Sequence, residues 1–142
     1  MVQYQQKIIN LWTVFLLGLL FHTQLGLMPL FHGISVVESS AQNIAEISSI
    51  LWLMLAFFTF PMAAIIATSF LSSRRYRRIH FGLTVIFTVL NAIHLIADLT
   101  VQPIAWYQIA LMAILLVIGL LLNLVAFQWL REPHQSWQEK HL

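Results

Sequence analysis

Cysteine is absent from this 142-residue chain. That excludes disulfides, thiolate metal sites, iron–sulfur clusters and cysteine catalysis. Charge is scarce as well: Asp, Glu, Lys and Arg make up 8% of the residues, against about a quarter in a soluble domain. The net charge is only +2, and its few basic residues are too sparse for a nucleic-acid partner. There is no Gly-rich phosphate loop, HExxH, GxSxG or EF-hand pattern, and no strict GxxxG. No catalytic residue is therefore assigned, and the chain reads more readily as a non-enzyme. No internal repeat or low-complexity tract divides it.

What is present is apolar: 60% of residues are hydrophobic. Four runs are long enough to cross a hydrocarbon core of about 30 Å at 1.5 Å per residue. They cover about residues 8–30, 48–70, 81–101 and 104–129. A cleaved secretory signal competes for the first run, with Ser39-Ser40-Ala41 as small residues downstream. That run exceeds a signal's apolar region of about 7–15 residues, so an uncleaved helix is the better reading. Pro61 falls inside the second run and predicts a kink. Gln102 and Pro103 make a tight connection that places the last two spans side by side and antiparallel.

The expected fold is all-α: a single transmembrane domain over residues 1–142, built as an up-down-up-down four-helix bundle. With four crossings, all seven basic residues fall on one side: Lys7, Arg74, Arg75, Arg77, Arg78, Arg131 and Lys140. The positive-inside rule then puts both termini in the cytoplasm. The arginine cluster is expected to anchor this topology, or to meet anionic lipid head groups. Trp106, Tyr107 and Trp129 fit interfacial anchors. The partner implied is the lipid bilayer, with a homo-oligomer or a larger membrane complex as further options. The membrane implied is a bacterial cytoplasmic or other energy-transducing one.

The third run carries Thr84, Thr88, Asn91, His94 and Asp98, and four of these share one helical face. Lipid cannot satisfy such a stripe, so it must face protein or a water-filled cavity. His22 lies about 21 Å along the first run and His94 about 20 Å along the third, which predicts one common depth in the outer half. Two neutral imidazoles on facing helices suit the axial positions of haem b, or a transition metal such as copper, iron or zinc. Gly18 and Gly26, four residues on either side of His22, would leave room for a macrocycle. Asp98, one turn beyond His94, would orient a ligating imidazole. His32, Glu38 and Met112 are further candidate metal ligands, with Met54 near the level of the two histidines, Met28 a little further out and Glu46 at the outer rim. His80 reads as a solvated or snorkelling residue at the inner interface. Asn91, Thr84 and Asn123 read as structural polar residues, with Asn123 expected to pair with Thr84.

Three functions are compatible with this pattern. The first is electron transfer or metal handling through His22 and His94. The second is a non-enzymatic membrane subunit or assembly factor whose polar stripe is structural. The third is a proton-coupled carrier with Asp98 and His94 as relay.

Overall fold

The computed structural model describes residues 2–37 and 39–133. Four long helices follow one another: α1 Val2–Leu27, α2 Ser48–Phe70, α3 Arg74–Asp98 and α4 Trp106–Arg131. Short 3₁₀ turns, Met28–His32 and Ile44–Ile47, bracket the α1–α2 connection. Gly33, at φ 74°, closes the first of them in the left-handed region that favours glycine. All four helices are long and apolar enough to cross a membrane.

The helices pack along heptad-like seams, spaced alternately by three and four residues. On α4 the buried seam is Gln108, Met112, Leu115, Gly119, Leu122, Ala126 and Trp129. On α1 it is Ile8, Trp12 and Phe15, and the same spacing continues through Leu19, His22 and Gly26. The α3 seam is unusual, because Arg77, His80, Thr84 and Asn91 are buried in it and only Phe87 among its buried members is apolar. Conversely, the outward faces are apolar, with Phe21, Trp52, Phe60, Ile86, Ile96 and Leu120 all exposed. Polar groups inside and bare hydrocarbon outside suit a lipid solvent and would be costly in water.

α4 is central, packing on both α1 and α3, while α1 also packs on α2. Close approach needs glycine here. A Cβ added to Gly18 would overlap the Leu115 side chain, and one added to Gly119 would sit 3.0 Å from Thr88 Oγ1. α2 and α3 are joined by only three residues, yet they pack little backbone against each other. Their contacts are side-chain ones, such as the Phe57 and Phe87 rings at 4.8 Å. Pro61 is buried within a helix that continues past it.

Hydropathy locates apolar runs, not helix ends, and two of the expected boundaries shift accordingly. α1 begins six residues before Ile8, and α3 begins seven before Phe81. The arginine run is thus the first turns of α3 rather than a loop. Ser73 caps it by accepting from the Tyr76 amide at 3.2 Å, and arginine is a good helix former.

The end of the bundle where α3 begins is a closed polar and aromatic layer. Arg77 is 1% exposed. Its Nε donates to the Ser72 carbonyl at 3.0 Å, and its Nη1 donates to the Trp129 and Glu132 carbonyls at 2.9 and 3.0 Å. The guanidinium also lies 5.1 Å from the Trp129 ring centre. It therefore satisfies carbonyls that the end of α4 leaves free and meets the negative end of that helix dipole. Two expectations are corrected here: Arg77 is buried rather than exposed at the surface to lipid head groups, and Trp129 is buried rather than an interfacial anchor.

His80 is corrected in the same way. It is 1% exposed and accepts from Trp12 Nε1 at 2.9 Å. Trp12 stands edge-on to Phe15 and Phe87, and Tyr76 and Trp129 flank His80. Across to α2, Tyr76 Oη donates to the Ala64 carbonyl at 3.1 Å and lies 2.8 Å from Thr68 Oγ1. Gln5 donates to the Thr68 carbonyl at 2.8 Å, satisfying one of the last carbonyls of α2.

Candidate functional site

At the other end, the α1 and α3 seams finish in ionisable residues at one level. His22 and His94 each lie 20 residues beyond the first residue of their helix. That is about 30 Å of rise in both cases. Their rings stand 5.3 Å apart between centroids, inclined at 68°. Asp98 bridges them. Its Oδ2 is 3.3 Å from His22 Nε2, and its Oδ1 is 3.6 Å from His94 Nε2. One ligand atom from each of the three residues falls within 4.8 Å of the others.

Local structure explains this convergence. His94 and Asp98 are four apart on α3, so they stack one turn above the other. His22 faces them because it continues the α1 seam begun by Ile8, Trp12 and Phe15. Gln108, in the first turn of α4, holds this end of α1 by donating from Nε2 to the His22 carbonyl at 3.2 Å. Gly26 lies beside this contact, where an added Cβ would stand 3.4 Å from the same nitrogen. The sequence reading did not single out Gln108. Its signal was positional: a polar residue on the α4 seam at the level of His22.

The site is graded in exposure. His22 and Asp98 are half-buried, whereas the His94 side chain is 56% exposed. A cavity of about 420 Å³ adjoins it, bordered by all four helices, with His22, His94 and Asn91 in its lining. Asn91 is buried and donates to the Met112 carbonyl at 3.5 Å.

Other sequence candidates fall elsewhere. Met112 is buried and borders the cavity but is not among the three clustered donors. His32 ends the first 3₁₀ turn as an exposed side chain outside the cluster. Glu38 lies outside the described residues. Glu46 is exposed and serves locally, accepting from Asn43 Nδ2 at 2.6 Å and the Gln42 amide at 3.1 Å. Met54 borders the cavity on α2, and Met28 is exposed.

The structural polar residues behave as helix glue, with one change of partner. Asn123 Nδ2 donates to Thr88 Oγ1 at 3.0 Å, not to Thr84. Thr84 is turned back onto its own helix, donating to the Phe81 carbonyl at 2.8 Å. Thr88 takes the pairing because Gly119 brings α4 against it. Gly18 does not hold open a slot for a macrocycle, since the Leu115 side chain occupies that position, whereas Gly26 is exposed.

The fold and cluster define a class: a four-helix protein of integral, multi-pass membrane type with a His-His-Asp cluster near one end of the bundle. Comparison with protein-family models, curated proteins and solved structures found no match.

Proposed function

We propose that this chain is a small integral membrane protein that holds a divalent transition-metal ion between His22, His94 and Asp98, in service of metal handling or electron transfer. The observation that carries the reading is the spacing of the three donors. Around a metal with bonds of about 2.0–2.2 Å, tetrahedral ligand atoms stand about 3.3 Å apart. His22 Nε2 stands 3.3 Å from Asp98 Oδ2 and His94 Nε2 3.6 Å from Asp98 Oδ1, and one donor atom from each residue lies within 4.8 Å of the others, so a small closing of the side chains would bring them to that spacing. Two imidazoles and one carboxylate suit zinc or ferrous iron, and three protein ligands leave an open position. Haem b is the poorer occupant. Two axial imidazoles must stand on opposite faces of a macrocycle, whereas these converge on one carboxylate and the space beside Gly18 is filled by Leu115.

In the proposed topology both termini and the Arg74–Arg78 turn face the cytoplasm. The metal site then lies toward the outer leaflet. The exposed Arg74, Arg75 and Arg78 supply the positive-inside signal together with Lys7 and Arg131.

A second reading has its own support. The His22–Asp98 contact is also a hydrogen bond that needs no ion, and the Asn123–Thr88 bond is ordinary bundle glue. On that reading the protein is a non-enzymatic subunit whose seam holds it together. Titration of the purified protein with Zn²⁺, Fe²⁺ and haem separates the two. The metal reading expects saturable Zn²⁺ or Fe²⁺ binding, weakened at least tenfold in His22→Ala, His94→Ala and Asp98→Ala, and no Soret band. Unchanged binding in those variants contradicts it.

A further inference from the structure

The cavity beside the cluster has a definite chemistry. His22 and His94 are its only ionisable lining residues, and the rest of its border is mostly leucine, phenylalanine, methionine and isoleucine. Besides Thr23, His94 and Ala97 nearer the end of the bundle, its exposed rim is formed by Leu53 and Met54 on α2 with Leu90 and Ile93 on α3. These are the two helices that pack little backbone against each other. Between α2 and α3 the mouth therefore opens sideways, through the outward apolar faces of two spans. Leu53 and Met54 lie only five and six residues into α2, about 8 Å from its end at 1.5 Å per residue. With α2 crossing a bilayer, that depth falls inside the hydrocarbon rather than at the end of the helix. A volume of about 420 Å³ is in the range of small-molecule sites. Asp98, in contrast, is absent from the lining. The cavity thus meets the cluster on its two-histidine side.

Resting on the metal site proposed above, we infer that the open position of the ion gives onto this lateral cavity, and that its ligand is a lipid-soluble molecule with an oxygen-bearing head and an apolar tail. The head, a hydroxyl or carbonyl, reaches the ion beside His22 and His94. The tail lies along Phe57, Leu53 and Leu90 and leaves between α2 and α3. A water-soluble solute gains nothing from such walls, whereas each buried methylene of a tail is worth roughly fourfold in affinity.

The test uses the full chain in detergent, loaded with Zn²⁺, and two hydroxamate probes sharing one metal-binding head: acetohydroxamate and octanohydroxamate. Zinc loading is measured first. Octanohydroxamate is expected to bind at least tenfold more tightly than acetohydroxamate. That gain should fall below threefold in Leu53→Trp, where a bulky ring crosses the mouth, while zinc and acetohydroxamate affinities stay unchanged. Leu53 is exposed, so the substitution leaves the core intact; Leu90→Trp is the second blocking variant. Equal affinity for the two probes overturns the inference. So does a chain-length gain that survives both tryptophan variants, because it then comes from the micelle. Failure to load zinc overturns the metal reading itself and this inference with it.

Discussion

Replacing Arg77 tests how its end of the bundle is held. Three of its hydrogen bonds run to main-chain carbonyls, at 2.9, 3.0 and 3.0 Å, from a side chain that is almost fully buried. A hydrogen bond to a charged group contributes about 1.5–3 kcal/mol. The three share one guanidinium and are not additive. Removing one partner of a buried charged arrangement costs about 3–5 kcal/mol, and Arg77→Ala is expected at the lower end because the carbonyls lie near the end of the bundle. On the scale of a 150-residue domain, about 3 kcal/mol lowers Tm by roughly 6–12 °C. Arg77→Lys keeps the charge near the α4 dipole but loses the fork, so an intermediate loss is expected. The control is Arg75→Ala, which removes the same charge from an exposed position and should stay within about 0.5 kcal/mol. Thermal unfolding of detergent-purified variants reads all three. If Arg77→Ala is as silent as Arg75→Ala, the arginine run is purely topological and the latch described here is refuted.

Three further substitutions probe the seams. Gly18→Ala drives a methyl into Leu115 and should cost about 1–3 kcal/mol, with Leu115→Ala in the same chain relieving part of the loss in a double-mutant cycle. Gly119→Ala pushes on Thr88 Oγ1 and should destabilise by about 1 kcal/mol or more, whereas in an Asn123→Leu background the loss should differ, because the Asn123–Thr88 bond has already gone. Trp12→Phe removes the donor to His80 Nε2 and should cost about 1–3 kcal/mol by leaving a buried acceptor unpaired; chemical denaturation followed by far-UV circular dichroism measures it, and a loss below 0.5 kcal/mol would show that this bond is immaterial.

Much of the architecture was legible because the bilayer-length apolar runs are unmistakable: the second predicted span coincides with α2. The common depth of His22 and His94 was legible for a subtler reason. Both helices start earlier than their apolar runs, by six and seven residues, so the two errors nearly cancelled. Polar partners were less legible. Hydropathy and the positive-inside rule treat all arginines alike, and so hid that Arg77 differs from Arg74, Arg75 and Arg78. Its face gave the distinction away: Arg77 lies seven residues before Thr84, on the same seam as His80 and Asn91. The exchange of Thr84 for Thr88 as partner of Asn123 was not legible. It depends on the lateral offset between α3 and α4, set by how closely Gly119 allows them to approach. The bridging position of Asp98 lay between these cases. Its spacing from His94 placed it beside that ring, but only the convergence of α1 and α3 brings it to His22 as well.

The central claim is that His22, His94 and Asp98 form one metal site, and the most direct measurement is metal stoichiometry. The chain, purified without a polyhistidine tag, is loaded with Zn²⁺, dialysed, and its zinc content determined by mass spectrometry. One tightly held zinc per chain is expected in the unmodified protein, in His32→Ala and in Met112→Leu. Loss of that zinc is expected in His22→Ala, His94→Ala and Asp98→Ala, each still folded by circular dichroism. A folded, unmodified chain that retains no zinc or iron, or a zinc that persists when both His22 and His94 are alanine, would contradict the account.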